Sequence, residues 1–155
     1  MEIDVDVSSF NFMARRYQGS EPIIAEELTK GLTRIALTGV REARGKAPVD
    51  TNLLRGSITH EGPFKQGGYI VVKVGTNVKY ARPVEFGTAP HVILPKVKKA
   101  LYWKGADHPV FSVNHPGTKE HPYLRPAMKV MIAATPRIMG DATNRSLTRI
   151  TMGSK

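Results

Sequence analysis

Residues 47–58 constrain the fold more than any other stretch of this chain, because they must join three kinds of backbone within twelve positions. Pro48 disfavours helical geometry at Ala47 and should end the amphipathic run before it. Ser57 and Ile58 then open an extended segment. We therefore predict that a helix, a short turn and a strand meet at this joint, which contains no reactive group.

The turn within the joint is predicted to begin with a side-chain cap. Asp50 or Thr51 can accept backbone N–H bonds at the start of a single turn that reaches Arg55. Gly56 then tolerates the change of backbone direction that releases the chain. On this interpretation Asp50, Thr51 and Arg55 are structural residues.

Composition favours one domain. The chain has 155 residues, 41% of them hydrophobic, which is enough for a single moderate core. It has no cysteine, so disulfides and thiol chemistry are excluded. No apolar run approaches the roughly 18 residues that a membrane span needs, and the first residues lack a signal-peptide pattern. We expect a soluble protein that is made in a cytoplasm.

The charge of the chain is concentrated in its second half. There are 23 Lys and Arg against 13 Asp and Glu, a net charge of +10. Residues 1–77 carry 10 basic and 9 acidic groups, whereas residues 78–155 carry 13 basic and 4 acidic groups. The second half should therefore face something anionic. Aromatic content is 7%, which favours a phosphate-facing or acidic-protein-facing surface over reading of base sequence.

The best helix prediction starts at Ser20 and ends before Pro48. Pro22 is acceptable in a first turn. Apolar residues recur at spacings of four and three, and these are Ile24, Leu28, Leu32 and Ile35. Basic residues near the end of this helix complement its dipole, so we interpret them as ordinary helix charge.

A β-hairpin and a short helical turn are predicted next. Residues 57–61 and 69–75 are predicted to form two strands, with Ile70, Val72 and Val74 on the buried face. The turn between them contains Gly62-Pro63 and Gly67-Gly68. Residues 77–87 read as a helical turn with a glycine exit. Residues 88–122 form a long connection with possible strands at 100–104 and 110–114, and we expect it to project.

A second helix is predicted from Pro122, with Pro136 kinking or ending it and a frayed end beyond Gly140. The predicted fold is α+β: a long N-terminal helix and a C-terminal helix pack on a small, mainly antiparallel sheet with a long projecting loop or hairpin. We divide the chain into an N-terminal arm (1–19), a single domain (20–139) and a C-terminal tail (140–155).

Groups that could carry chemistry each have a simpler structural interpretation. His108, His115 and His121 stand in His-Pro pairs whose spacing matches no compact zinc ligand set, so we expect no metal. Glu85 lacks a partner carboxylate or histidine at short spacing. We expect it to bond the Tyr80 region or an arginine of a neighbouring subunit.

Nucleophile and phosphate-binding motifs are also missing. Ser57 and Thr51 lie near Asp50 and His60, but no Gly-x-Ser-x-Gly elbow is present and capping explains both hydroxyls. No Gly-Lys-Ser/Thr follows the glycines to make a phosphate cradle. We expect no catalytic residue and no cofactor.

Three stretches together resemble one family. They are Ala-Pro-Val-Asp-Thr-Asn-Leu-Leu-Arg-Gly-Ser-Ile (47–58), Val-Lys-Tyr-Ala-Arg-Pro-Val-Glu-Phe-Gly-Thr (78–88) and His-Pro-Gly-Thr-Lys-Glu-His-Pro-Tyr-Leu-Arg-Pro-Ala (115–127). In order and spacing they resemble the tail-completion or head–tail joining minor structural proteins of long-tailed bacteriophages, over roughly residues 20–135. Asn52 departs from the glycine that is usual there, but asparagine tolerates left-handed backbone.

The resemblance implies a ring subunit of the virion neck, between the connector and the tail tube. It implies a homo-oligomeric ring, six-fold by the family pattern, in contact with connector and tail-tube or tail-terminator proteins. DNA would pass through the lumen without sequence-specific binding, and no membrane is involved. The protein would be found in the virion, and in the host cytoplasm during assembly.

The residues expected to serve the fold or assembly fall into four groups. The joint comprises Asp50, Thr51 and Arg55; the central turn Tyr80, Glu85 and Phe86; the loop-to-helix entry His115, Pro116, Gly117, Leu124, Arg125 and Pro126; and the charged interface Lys96, Lys98 and Lys99.

Two other functions remain open. A nonspecific nucleic-acid-binding protein is the alternative, because the second half is so basic. A small nuclease ranks last, because the four carboxylates of that half are widely separated and offer no cluster for metal ions. These carboxylates are Glu85, Asp107, Glu120 and Asp141.

Overall fold

A computed structural model describes residues 17–66 and 69–153. Its elements, in chain order, are α1 (Glu21–Lys46), α2 (Leu53–Ser57), β1 (Thr59–Gln66), β2 (Tyr69–Gly75), α3 (Ala81–Phe86), β3 (His91–Ile93), β4 (Val113–His115) and α4 (Leu124–Met152). The fold is α+β, with long helices near both ends of the chain, as predicted. The expected N-terminal arm lies, up to residue 16, outside the described residues.

Helix α1 has the predicted bounds, but it buries a different face. Ala47 is extended, with φ −65° and ψ 131°, as its position before Pro48 requires. The predicted stripe of larger residues is only half-buried, except for Ile35. The buried positions are mostly small residues, namely Gly31, Ala36, Gly39 and Ala43. The helix therefore offers a narrow groove to a partner helix that packs closely.

That partner is α4, which runs antiparallel to α1 over most of its length. A Cβ added at Gly31 would lie 3.2 Å from the Met139 Sδ and 3.3 Å from the Ala142 Cβ. At Gly39, an added Cβ would overlap the side chain of Met131. The two helices thus approach closely at these glycines, where a side chain on α1 would require the methionines to move.

Helix α4 does not end at Pro136, and the tail expected from Gly140 is instead part of this helix. The helix continues to Met152. Three residues beyond Gly140 are buried, and these are Ala142, Ser146 and Ile150. Burial against α1 therefore outweighs the one intrahelical hydrogen bond that proline cannot donate.

Strands β1 and β2 form an antiparallel hairpin that is longer than predicted. Thr59 pairs with Gly75 and Gln66 with Tyr69, with a register shift between Glu61 and Phe64. The predicted turn at Gly62 and Pro63 is wrong, because β1 continues past them through this bulge. The three residues of the predicted buried face on β2 are half-buried, but so is Val71.

The core lies where the end of α1, the joint, α3 and the start of α4 meet. Its buried members are Val40, Ala43, Ala47, Leu54, Ile58, Ala81, Tyr123 and Ala127. Within residues 17–66 and 69–153, no helix has the length and apolar character to cross a membrane.

Residues 88–122 form a projecting hairpin, as expected, although the paired strands differ in part. β3 pairs with β4, from His91 opposite His115 to Ile93 opposite Val113. The strand predicted at 110–114 overlaps β4. The strand predicted at 100–104 is wrong, because only Leu101 pairs there, with Val110.

Candidate assembly surface

The start of α4 is capped by a carboxylate from another element. Glu85 on α3 is 2% exposed, and its Oε2 accepts the backbone N–H groups of Tyr123 and Leu124, each at 2.8 Å. Its Oε1 accepts the backbone N–H of Arg125 at 2.9 Å. The first N–H groups of a helix have no partner within it and carry partial positive charge, so a carboxylate here stabilises α4.

The Arg125 side chain binds α3 a second time. Its Nε lies 3.1 Å from Glu85 Oε1, and its Nη2 donates to the Glu85 carbonyl oxygen at 2.8 Å. Nη2 also lies 2.6 Å from the Oε2 of Glu120. The guanidinium stands over the Phe86 ring, 5.0 Å from its centroid. One arginine thus joins α3, α4 and the end of the projecting hairpin.

These donors set the ionisation of Glu85. Burial alone would raise the pKa of Glu85, because it disfavours the charged form. The three backbone N–H groups and the Arg125 side chain outweigh burial and hold the pKa of Glu85 below its ordinary value. The Glu85 side chain was expected to bond the Tyr80 region or an arginine of a neighbouring subunit. It bonds the start of α4 instead, and its arginine partner, Arg125, belongs to the same chain.

The base of the projecting hairpin is fastened beside this cap. Thr88 and Thr118 exchange two backbone hydrogen bonds, of 3.0 and 3.1 Å, and their hydroxyls lie 3.0 Å apart. Three residues after Thr118, the backbone N–H of His121 donates to the Val84 carbonyl oxygen at 2.8 Å. The two segments are therefore fastened to each other at the base, and the returning segment is also bonded to α3.

Two glycines allow the two segments to approach so closely. Gly87 and Gly117 have φ of 69° and 87°, a region that side chains disfavour. A Cβ at Gly87 would lie 2.5 Å from the Thr118 carbonyl oxygen, and one at Gly117 would overlap the Thr88 carbonyl oxygen. The glycines of the second and third family-like stretches, residues 78–88 and 115–127, thus lie at the same place.

The other predicted entry residues lie around this base. The His115 ring stacks on His91 at 5.1 Å between centroids, and its Nδ1 accepts the Gly117 N–H at 3.0 Å. Pro116 is exposed. Pro126 lies in the first turn of α4, where a missing N–H costs no intrahelical bond.

The joint packs on the same core as this site, but its predicted cap is wrong. Helix α2 begins after Asn52, which has a φ of 63° and makes no side-chain cap bond. Asp50 and Thr51 are exposed. The left-handed backbone expected of Asn52 is confirmed, and it starts the helix later than a cap at Asp50 or Thr51 would.

Arg44 holds the joint instead, through a contact that the sequence did not indicate. Its Nε and Nη2 donate to the Ile58 carbonyl oxygen at 3.0 and 2.8 Å. The Ser57 hydroxyl lies 2.6 Å from that of Thr76, which ties the joint to the end of β2. A basic residue in a last helical turn is so common that its position gave no signal of this contact.

The projecting hairpin displays large apolar side chains. Val97 is 96% exposed and Phe111 77%. Other exposed members are Val92, Leu94, Tyr102 and Trp103. The predicted interface lysines, Lys96, Lys98 and Lys99, are exposed on the same hairpin. Such a concentration of exposed apolar surface is typical of a protein-binding surface.

An apolar groove opens beside the cap, between the end of β2, α3 and the first turns of α4. Its volume is about 560 Å³. Its apolar wall includes Val74, Val78, Phe86, Leu124, Met128 and Met131. Lys79 and Arg82 lie on its rim and are exposed. We call it the α3–α4 groove.

No metal-binding cluster is found in the part of the chain that the structure describes. No three side chains among His, Asp and Glu come together there. The site thus comprises a capped helix start, an anchored hairpin and an apolar groove.

Residues 15–87 match the model of a protein family described as "Bacteriophage HK97-gp10, putative tail-component". The match supports a tail-related structural component of a phage. It covers α1, the joint, the β1–β2 hairpin and α3, and it stops at the base of the projecting hairpin. The resemblance to phage tail proteins inferred from the sequence is thereby confirmed for this part. No curated protein and no solved structure matches the chain.

Proposed function

We propose that this protein is a ring subunit that completes the tail, or joins head to tail, at the neck of a long-tailed phage. The observation that carries the proposal is the projecting hairpin. It exposes large apolar side chains and lysines, yet its base is anchored by paired threonines and lies beside the Glu85–Arg125 cap. A hairpin that exposes apolar side chains and has an anchored base is suited to contact with a neighbouring protein rather than to catalysis.

The charge distribution supports a place among acidic partners. The second half of the chain carries the excess of positive charge, and the hairpin contributes Lys96, Lys98 and Lys99 to it. Such charges act mainly on encounter and orientation of partners. In the proposed setting they face connector or tail proteins, while DNA passes through the lumen of a homo-oligomeric ring, six-fold by family resemblance.

The first experiment measures mass. Native mass measurement of the purified protein, alone and after incubation with isolated tails that lack it, should give a closed oligomer in at least one setting. The same tails should gain the ability to join filled heads. A protein that stays monomeric in both settings and restores no joining would contradict the proposal.

The second experiment separates this function from nonspecific DNA binding. Reversing Lys96, Lys98 and Lys99 to Glu should block joining and leave the folded state intact, because exposed charges contribute little to stability. Joining by the parent protein should weaken as salt rises. Retention on duplex DNA with a steep salt dependence, lost in the same variant and without any oligomer, would favour the DNA-binding alternative.

A further inference from the structure

We propose that the α3–α4 groove binds residues 2–7 of a second copy of this chain. The proposal rests on the ring function proposed above, for which it would supply a contact between neighbouring subunits. It is carried by three observations: the chemistry of the groove, the pattern of residues 2–7, and the distance between the groove and the start of the described chain.

The groove is apolar inside and positive at its rim. Methionines form part of its wall, and Met128 is 55% exposed. Lys79 and Arg82 form no ion pair with residues of the described ranges. Glu85 also borders the groove, but both of its oxygens are engaged by the start of α4. The fitting occupant is therefore apolar on one side and acidic on the other.

Residues 2–7 have this pattern. The sequence reads Glu-Ile-Asp-Val-Asp-Val, with acidic and apolar residues in strict alternation. In an extended chain, successive side chains point to opposite sides. Ile3, Val5 and Val7 would enter the groove, and the three carboxylates would face outward, near the two rim cations. A groove of several hundred cubic ångströms is of the size that takes such side chains.

The projecting hairpin of a second copy fits the groove less well. Its outer part is apolar but carries four lysines against one aspartate, Asp107. Positive charge on the occupant would oppose the positive rim. Charge complementarity therefore favours residues 2–7 over the hairpin.

The described chain begins at Tyr17, and the position of this residue favours binding of residues 2–7 to the groove of a second copy over binding to the groove of their own chain. Gly19 and Ser20 lie beside Arg149 and Ile150, at the far end of α4 from the groove. Met131 is the groove residue on α4 that lies nearest to this end of the helix. The distance from Met131 to Ile150 along the helix axis is about 28 Å. Residues 7–17 span at most about 36 Å. The chain could reach its own groove only at nearly full extension, whereas a neighbour has no such constraint.

The first test uses cross-linking, which is clean because the chain has no cysteine. One preparation carries Val5→Cys and a second, distinguishable by a mass tag, carries Met128→Cys. After mixing and oxidation, with and without tails, a disulfide between the two preparations is expected. The matched control is Asn144→Cys, an exposed position toward the other end of α4, which should form little disulfide with Val5→Cys.

A variant that carries both Val5→Cys and Met128→Cys in one chain shows whether the groove binds the N-terminal residues of its own chain or those of a second copy. A disulfide within single chains, without one between the mixed preparations, would show that the groove takes its own N-terminal residues and would overturn the proposal. Oligomers that form without any Val5–Met128 disulfide would overturn it too, while the proposed function stands. If the protein fails to oligomerise and to join heads in every setting, the proposed function itself would be contradicted.

The second test exchanges charges. Lys79→Glu with Arg82→Glu should weaken association by on the order of tenfold or more. Adding Asp4→Lys and Asp6→Lys to this variant should restore association, because the new lysines of the bound segment then face the new glutamates of the groove rim. A loss that the reciprocal exchange does not restore, or no loss at all, would contradict the proposed contact.

Discussion

Glu85 and Arg125 share three hydrogen bonds: the Arg125 backbone N–H donates to Glu85 Oε1 at 2.9 Å, its Nε to the same oxygen at 3.1 Å, and its Nη2 to the Glu85 carbonyl oxygen at 2.8 Å. They stand 40 residues apart in the chain. The contact fixes where α4 starts relative to α3, and the projecting hairpin emerges between them. The orientation of the proposed binding surface therefore depends on this pair.

Replacing Glu85 tests that dependence. Glu85→Gln keeps the size but removes the charge that accepts three backbone N–H groups, so the free energy of unfolding should fall by about 1–3 kcal/mol. Denaturant unfolding measures it. Because the pKa of Glu85 is lowered in the folded state, its stabilisation is present above the unfolded value of 4.5 and lost as pH falls below it. Glu120→Gln, at the exposed partner of Arg125, is the control and should have little effect.

The α1–α4 pair should show its own acid sensitivity. Hydrogen bonds from Lys30, Arg145 and Arg149 lower the pKa of Glu27 from 4.5 to about 2. The stabilisation is complete above pH 4.5 and is lost as pH falls toward 2. Glu27→Gln should therefore lower Tm at pH 7, and the difference from the parent should shrink through this window. Glu42→Gln, at a long 3.7 Å pair with Arg41, is the matched control. A difference that stays constant with pH would contradict the assignment.

The joint should depend on Arg44 and not on the acidic turn. Arg44→Met leaves the Ile58 carbonyl oxygen without two charged donors and should lower the free energy of unfolding by about 1–2 kcal/mol. Asp50→Ala with Thr51→Ala removes no hydrogen bond of the described structure, so its effect should stay within about 0.5 kcal/mol. Chemical denaturation compares the two variants. The reverse order would show that the turn is capped by its side chains after all.

Gly117 should be the least replaceable residue of the projecting hairpin. Gly117→Ala combines strained backbone with overlap of the Thr88 carbonyl oxygen, so a loss of about 2–3 kcal/mol is expected. Gly105 also has positive φ, of 98°, but an added Cβ there meets nothing within 4 Å. Gly105→Ala should therefore cost only about 1 kcal/mol. Equal losses in thermal or denaturant unfolding would show that the hairpin base can relax.

Local sequence signals determined the elements at several points. Pro48 ended α1, Asn52 took left-handed backbone, and the glycine exit after residue 86 closed α3. These features follow from the backbone preferences of single residues, which act whatever the rest of the chain does. Where the prediction relied on such a preference alone, as with Pro136 as a helix stop, packing against α1 outweighed it.

The fold class, the helix–turn–strand order of the joint and the charge of the second half follow from the amino-acid sequence, because periodicity, proline and glycine positions and composition can be read without knowing any contact. The atoms that meet are set by the packing of distant segments. Glu85 reaches the start of α4, Arg44 reaches Ile58, and the small residues of α1 lie under α4. Each contact joins residues between 14 and more than 100 positions apart, and no local preference specifies such a partner. The partner is selected when these distant segments bury their apolar side chains in one shared core.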